Sequence, residues 1–180
     1  VPDPKNTPKA MKEYLVDTKL LPKSYLSLME EVIKFRKDVE HKKIKSISGE
    51  EVDKWIKKAE RYVKKMESIY RNLQNQKKKM LVERNYEVLL KSTIYALKKM
   101  NKLPPNPKDL PKAIKKELIE KNYLPKSYLE TFDKVIGMKK LAEKKIDKIS
   151  ERDIELTRSY VKKFVDILDR LVREIETKKK

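Results

Sequence analysis

The chain has 180 residues, of which 42% are charged, two are glycine and nine are proline. Strands joined by tight hairpins need turn glycines and alternating apolar residues, so this composition excludes a β-rich fold. No apolar run approaches the roughly 20 residues that cross a bilayer, so we expect no membrane span. The absence of cysteine excludes disulfides and thiolate metal sites.

The net charge is +19, from 47 Lys and Arg against 28 Asp and Glu. Such an excess is typical of proteins that bind nucleic acid, an anionic surface or an acidic partner, and we expect nucleic acid or a nucleotide. The alternative is a Lys-rich source organism without an anionic ligand. Abundant Lys and Glu favour a thermophilic source. We expect a cytoplasmic protein without a cofactor and, with a single histidine, without a metal site.

An internal repeat organises the chain. Residues 2–33 match residues 105–136 without a gap at an offset of 103, with 16 of 32 positions identical. The segment ISGEEV at 47–52 then matches ISERDI at 149–154 at an offset of 102. One residue has therefore been lost between the two landmarks, and the apolar positions keep step beyond them. This pattern indicates duplication of one structural unit.

Proline and capping signals place the helices of the first copy. Pro8 opens a short helix that runs to about residue 20, and Pro22 opens a second that runs to about Lys43. Ser48 with Glu51 forms a capping-box pattern and begins a third helix.

The second copy has one helix more. Its predicted helices cover about 81–102, 110–122, 125–146 and 151–177, with Pro111 and Pro125 at the openings of the second and third. Ser150 with Asp153 is a poorer capping box for the fourth. We expect a break or kink near Asn72–Lys79, where apolar residues vanish, and the alternative is one continuous helix over 49–102.

The predicted architecture is all-α, with two tandem antiparallel helical bundles. Copy one covers residues 1–80 with three helices, and copy two covers residues 81–180 with four. Copy one lacks the N-terminal helix of the module, and three amphipathic helices leave part of their apolar surface uncovered. We expect a preceding segment of a longer native protein to supply that helix, while a symmetry mate in a homodimer or the second copy is the alternative.

The order of these helices resembles that of HEPN domains. The carrying residues are LPPNPKDLPKAI after the first helix, LPKSYL before the next, and a long helix containing Arg36-Lys-Asp-Val-Glu-His41. The family signature is Arg, four to six residues and then His near the end of the third helix. Arg36 and His41 are separated by four residues, and Lys37 stands where the family often has Asn, Asp or His.

The resemblance implies two classes of function. Active HEPN domains are metal-independent ribonucleases in which Arg and His of two domains meet across a dimer interface, with His for proton transfer and Arg for the phosphorane charge. Other members bind nucleotides, RNA or partners, and in archaea and bacteria they are fused to or paired with minimal nucleotidyltransferases. Copy two has Lys139 opposite Arg36, and Lys144 or Glu143 opposite His41, which argues against a paired active site.

Three hypotheses follow. The first is a basic helical module that binds nucleic acid or nucleotide, or mediates assembly, as a fragment of a larger nucleotidyltransferase-associated protein whose catalytic domain lies outside this chain. The second is a metal-independent endoribonuclease with Arg36 and His41 as catalytic residues, and the third is a purely structural pseudo-dimer. For the fragment itself we favour a non-enzymatic role. The predicted nucleic-acid contacts are Arg36, Lys37, Lys42, Lys43, Lys139, Lys140, Lys144 and Lys145.

Overall fold

The computed structural model describes residues 6–177, and every regular element within that range is helical. The α-helices are α1 (Thr7–Met11), α2 (Lys23–Glu40), α3 (Gly49–Lys99), α4 (Leu110–Ile114), α5 (Ser127–Lys145) and α6 (Glu151–Thr177). The all-α prediction is therefore confirmed. None of these helices combines the length and apolar character that a bilayer crossing requires.

Helix α3 is continuous where the sequence predicted a break. It runs from Gly49 to Lys99 through the polar segment Asn72–Lys79, so the break is wrong and the alternative of one long helix is confirmed. The physical reason is that the loss of apolar residues removes packing partners but no backbone hydrogen bond. Gln and Lys are good helix formers, and no Gly or Pro interrupts the segment.

The chain divides into two compact units, Val1–Leu73 and Gln74–Lys180. The first unit contains α1, α2 and the beginning of α3, and the second contains the remainder of α3 with α4, α5 and α6. The predicted copies meet between residues 80 and 81, within α3.

The first unit has a small core. Its buried apolar residues are Met11, Leu21, Leu26 and Ile69. The hydroxyl of Tyr62 lies 3.6 Å from the sulfur of Met11 and 3.8 Å from that of Met29, and burial raises the pKa of Tyr62. Helix α1, helix α2 and one face of α3 contribute side chains to this core.

The second unit has a larger core in two clusters. Leu89, Leu97, Leu118, Phe132 and Phe164 belong to the main cluster, in which the last part of α3 packs with α4, α5 and α6. The smaller cluster consists of Val82, Ala142, Ile146, Ile149 and Ile154.

The structure repeats with the sequence, down to irregular backbone. After α1 the chain continues as a π-helical turn over Lys12–Val16, and after α4 as a π-helical turn over Lys115–Ile119, at the same offset of 103. Lys19 and Asn122 then take the left-handed conformation, with φ of 61° and 59°. Equivalent residues thus form the same strained ending of the first helix, as expected for a duplicated unit.

The predicted start at residue 81 is wrong because it lies inside α3, and the other predicted helix starts are correct within two residues. Pro8 and Pro111 lie inside α1 and α4. Pro22 precedes α2 instead of opening it, because its ψ of 142° is extended, and its carbonyl accepts a hydrogen bond from the Tyr25 amide at 3.0 Å. Helix α5 begins two residues after Pro125, at Ser127.

The capping box of Ser150 and Asp153, predicted to be the poorer one, is the more complete of the two. The Asp153 amide donates to Ser150 Oγ at 3.1 Å, and the Ser150 amide donates to Asp153 Oδ2 at 3.4 Å, so this box is reciprocal. At the other site the Glu51 amide donates to Ser48 Oγ at 3.2 Å, and Glu51 makes no reciprocal bond to the Ser48 amide within the described residues. The shorter Asp side chain closes the box here as well as a Glu would.

Glu117, on the second π-helical turn, provides a pH-dependent contribution to stability. Its side chain is 9% exposed and bonds the Lys121 ammonium at 2.6 Å. This hydrogen bond lowers the pKa of the Glu117 carboxyl below its ordinary value of 4.5. A lowered pKa in the folded state means that the ionised carboxylate stabilises the fold above about pH 4.5, and that this contribution disappears as the pH falls.

We therefore expect Glu117→Gln to lower the urea midpoint at neutral pH and to have little effect at about pH 3. Glu120→Gln, three residues further on an exposed position, is the matched control and should change the midpoint little at either pH. An equal loss at both pH values for Glu117→Gln would mean that the ion pair does not contribute.

Candidate nucleic-acid interface

The end of α2 carries the residues that the Arg–His pattern singled out. Arg36 Nε donates to Glu40 Oε1 at 2.7 Å, with 78% of the Arg36 side chain exposed. His41 caps the helix, and Lys42 follows it with a φ of 56°. Lys43 lies 3.5 Å from Asp38. The positive charges of Arg36, Lys42 and Lys43, with that of the exposed Lys37, lie near the negative end of the helix dipole, which they stabilise whether or not a ligand binds.

Arg36 and His41 point in different directions from α2. At 100° per residue, positions five apart differ by about 140° around a helix axis. Arg36 is also engaged with Glu40, one turn further along the same helix. The first unit alone therefore does not bring the guanidinium and the imidazole together around one phosphate.

The end of α5 repeats this arrangement with lysines. Lys140, Lys144 and Lys145 are exposed, the last two in the final turn of the helix. Lys139 differs, because its side chain is 27% exposed and its ammonium lies 3.1 Å from Glu83 and 4.2 Å from the centre of the Tyr86 ring. The hydrogen bond with Glu83 raises the pKa of Lys139. The positive charge of Lys139 is therefore already paired with Glu83 within the second unit.

A further basic surface involves α3 and Tyr25 of α2. Around Tyr25, a shallow depression of about 500 Å³ is lined by one carboxylate, Glu60, and four cations. The guanidinium of Arg61 lies 5.9 Å from the centre of the Tyr25 ring. We call this surface the Tyr25 patch, and its residues are Tyr25, Lys57, Glu60, Arg61, Lys64, Lys65 and Ser68.

The Tyr25 patch was missed in the sequence, although part of its signal was available. Lys57, Arg61 and Lys64 recur at the helical period and share an arc of about 60° on α3, whereas runs of adjacent lysines drew attention instead. The contribution of Tyr25 was not readable, because it lies on another helix. Arg36 is eleven residues after Tyr25, about 16 Å along α2, so the predicted contacts begin well away from the patch.

The second unit does not repeat this patch. The positions of Lys57, Lys64 and Lys65 hold Ser159, Asp166 and Ile167. A separate groove of about 550 Å³ between α3 and α6 is lined by Arg84, Arg158 and Lys162 over an apolar floor, but Glu155 and Asp166 also line it. Since Arg158 lies 3.6 Å from Glu155, much of the charge in this groove is compensated.

The aromatic side chains are mostly structural, as their helical spacing suggests. Trp55 stacks on Phe35 with ring centres 4.7 Å apart, and Tyr128 packs against Phe164 at 5.7 Å. Tyr70 and Tyr160 are exceptions, because their side chains are 67% and 46% exposed. They lie at positions where the helix surface turns away from its packed neighbours.

Comparison of the chain with protein-family models, curated proteins and solved structures finds no match. Within residues 6–177, no group of three His, Asp or Glu side chains is arranged to hold a metal ion.

Proposed function

We propose that this chain is a basic helical module that binds single-stranded nucleic acid, with the Tyr25 patch as the primary contact. The observation that carries the proposal is a depression lined by four cations and one aromatic side chain, with a single carboxylate. Lys and Arg neutralise phosphates, and an aromatic side chain offers a base a stacking surface. A shallow open depression suits a polymer that passes over it better than a small ligand that needs enclosure.

Binding is better supported than cleavage. Arg36 is paired with Glu40, and the helix directs Arg36 and His41 about 140° apart. Neither arrangement presents a proton-transfer group and a charge-stabilising group to the same phosphate. The module therefore binds nucleic acid without cleaving it, and this binding serves assembly with other components.

The test is the affinity of the full chain for a fluorescein-labelled unstructured RNA, followed by anisotropy over a range of salt concentrations. Each phosphate contact to a single strand contributes about 0.7 to the slope of log K against log salt. A Lys57→Gln/Arg61→Gln/Lys64→Gln variant should therefore lower that slope by about 2 and weaken binding at least tenfold at low salt.

The control variant is Lys140→Gln/Lys144→Gln/Lys145→Gln, which removes the same charge from the end of α5. It should keep most of the affinity. Equal losses for both variants would mean that only total charge matters and would overturn the patch. RNA products formed in EDTA by the parent but not by His41→Ala would replace binding with the nuclease hypothesis.

A further inference from the structure

The first unit carries an exposed apolar stripe along α3. Its residues share an arc of about 60° around the helix axis, roughly 140° from the cations of the Tyr25 patch. Val63 and Tyr70 are 52% and 67% exposed. Single exposed apolar residues are ordinary, but a continuous row of them marks a contact surface. We call this row the Val63 stripe, and it consists of Val52, Ile56, Ala59, Val63 and Tyr70.

The equivalent row in the second unit is covered. At the offset of 102, Val52, Ala59 and Tyr70 correspond to Ile154, Val161 and Val172, which are 1%, 3% and 4% exposed. These three residues are buried together with side chains of the last part of α3: Val82 shares a cluster with Ile154, and Leu89, Ala96 and Leu97 share the main cluster with Val161 and Val172. Residues 78–99 are thus the helix that covers this row.

Polar contacts fix the register of that covering helix. Lys139 lies 3.1 Å from Glu83 and 4.2 Å from the centre of the Tyr86 ring. The Asn85 amide nitrogen donates to the Ile154 carbonyl at 3.4 Å, and the Lys78 ammonium donates to the Ile149 carbonyl at 3.0 Å. The partners of these contacts, Lys139, Ile149 and Ile154, lie in parts of the second unit that have equivalents in the first unit.

The first unit keeps the cation that this contact needs. At the offset of 103, Lys139 corresponds to Arg36. In the first unit Arg36 holds only a local pair with Glu40 on its own helix and is 78% exposed. The repeat thus conserves a positive charge at the edge of the site, beside an apolar row that has no cover within the described part of this unit.

We propose that the Val63 stripe and Arg36 form the docking site of an amphipathic helix of the same type as residues 78–99. That helix carries apolar side chains at the spacing of Val82, Leu89 and Ala96, and an acidic side chain at the position of Glu83. Binding follows the helix-in-groove mode, in which the apolar seam supplies affinity and the ion pair at the edge sets the register. This role assigns Arg36 to positioning a partner helix.

The test uses a fluorescent peptide of residues 77–102 added to the full chain, whose own copy of this helix remains in the second unit. Saturable binding with one peptide per chain is the expected result. Val63→Glu should weaken it by about tenfold or more, because docking would bury an unpaired carboxylate against the apolar seam. Tyr14→Glu is the matched control, since the repeat already has a glutamate, Glu117, at the equivalent position, and it should leave peptide binding unchanged.

A charge reversal tests the register. Arg36→Glu should weaken binding of the parent peptide, and a peptide with Glu83→Lys should bind the Arg36→Glu chain more tightly than the parent peptide does. Restored affinity in this pair is specific to the proposed ion pair, since a general loss of structure would weaken both peptides.

Several results would overturn the proposal: no saturable binding to the parent chain, equal binding by Val63→Glu, or no recovery in the reversed pair. A parent chain that sediments as a dimer and becomes monomeric on Val63→Glu would identify a second copy as the occupant instead. Val63→Glu leaves the cations of the Tyr25 patch in place, so RNA affinity measured in parallel separates failure of this site from failure of the nucleic-acid proposal.

Discussion

Replacing Phe164 by alanine is expected to lower the free energy of unfolding of the second unit by about 3–5 kcal/mol. Phe164 on α6 is fully buried in the main cluster and packs against the Tyr128 ring at 5.7 Å. Truncation removes most of a large apolar side chain and leaves a cavity, because α3, α4 and α5 contribute to the same cluster and cannot all move inward.

The measurement is urea unfolding followed by far-UV circular dichroism. Tyr160→Ala, about one turn earlier on α6 and 46% exposed, is the control and should cost about 1 kcal/mol or less. Trp55 is the only tryptophan of the chain and lies in the first unit, so its fluorescence follows that unit separately. Similar losses for the two substitutions would contradict the placement of the core.

The second large effect comes from one substitution made at the same position of both copies. Ile154→Glu should destabilise the second unit by about 3–5 kcal/mol, since it places a carboxylate without a partner among buried apolar side chains. Ile154 is 1% exposed and clusters with Val82, Ala142 and Ile149. Val52→Glu should cost about 0.5 kcal/mol or less, because Val52 is 39% exposed.

The pair is well matched because both residues are the fourth of their helix. The Val52 amide donates to the Ser48 carbonyl at 3.1 Å, and the Ile154 amide donates to the Ser150 carbonyl at 3.3 Å. Both new carboxylates therefore experience a similar helix dipole, and burial is the main difference between them. Chemical denaturation of the two variants checks this. A large loss for Val52→Glu would show that the Val63 stripe is already buried in solution and would argue against a free docking site.

The two units differ at equivalent positions of their long helices, α3 in the first unit and α6 in the second. In the first, Ile56 stands at the position of Arg158, which makes its stripe more apolar than the covered row of the second. Most basic residues of the Tyr25 patch lie on the other side of α3, whereas Lys64 borders the stripe and lines one depression with Ile56 and Val63. By the two proposals made above, the first unit carries one surface for nucleic acid and another for a partner helix, while the second unit buries the equivalent of the second surface within itself.

Local sequence determined the repeat, the helices and most of their ends. Apolar spacing of 3.6 residues, prolines near helix starts and Ser-based caps act within one or two turns, so they are readable without the fold. The repeat is structural as well as sequential, because Lys12–Val16 and Lys115–Ile119 differ in sequence but form the same π-helical turn. The polar segment Asn72–Lys79 misled the prediction because it reports on packing, whereas continuity of a helix depends on backbone propensity.

Tertiary structure alone decided which charges and apolar residues meet. Tyr25 and Arg61 lie on α2 and α3, and Lys139 and Glu83 lie on α5 and α3, so neither pairing has a local signal. The same holds for burial: Val52 and Ile154 occupy one position of the repeat, yet one is exposed and the other covered. Hydrophobic burial depends on which helix is brought alongside, and in the second unit that helix is residues 78–99.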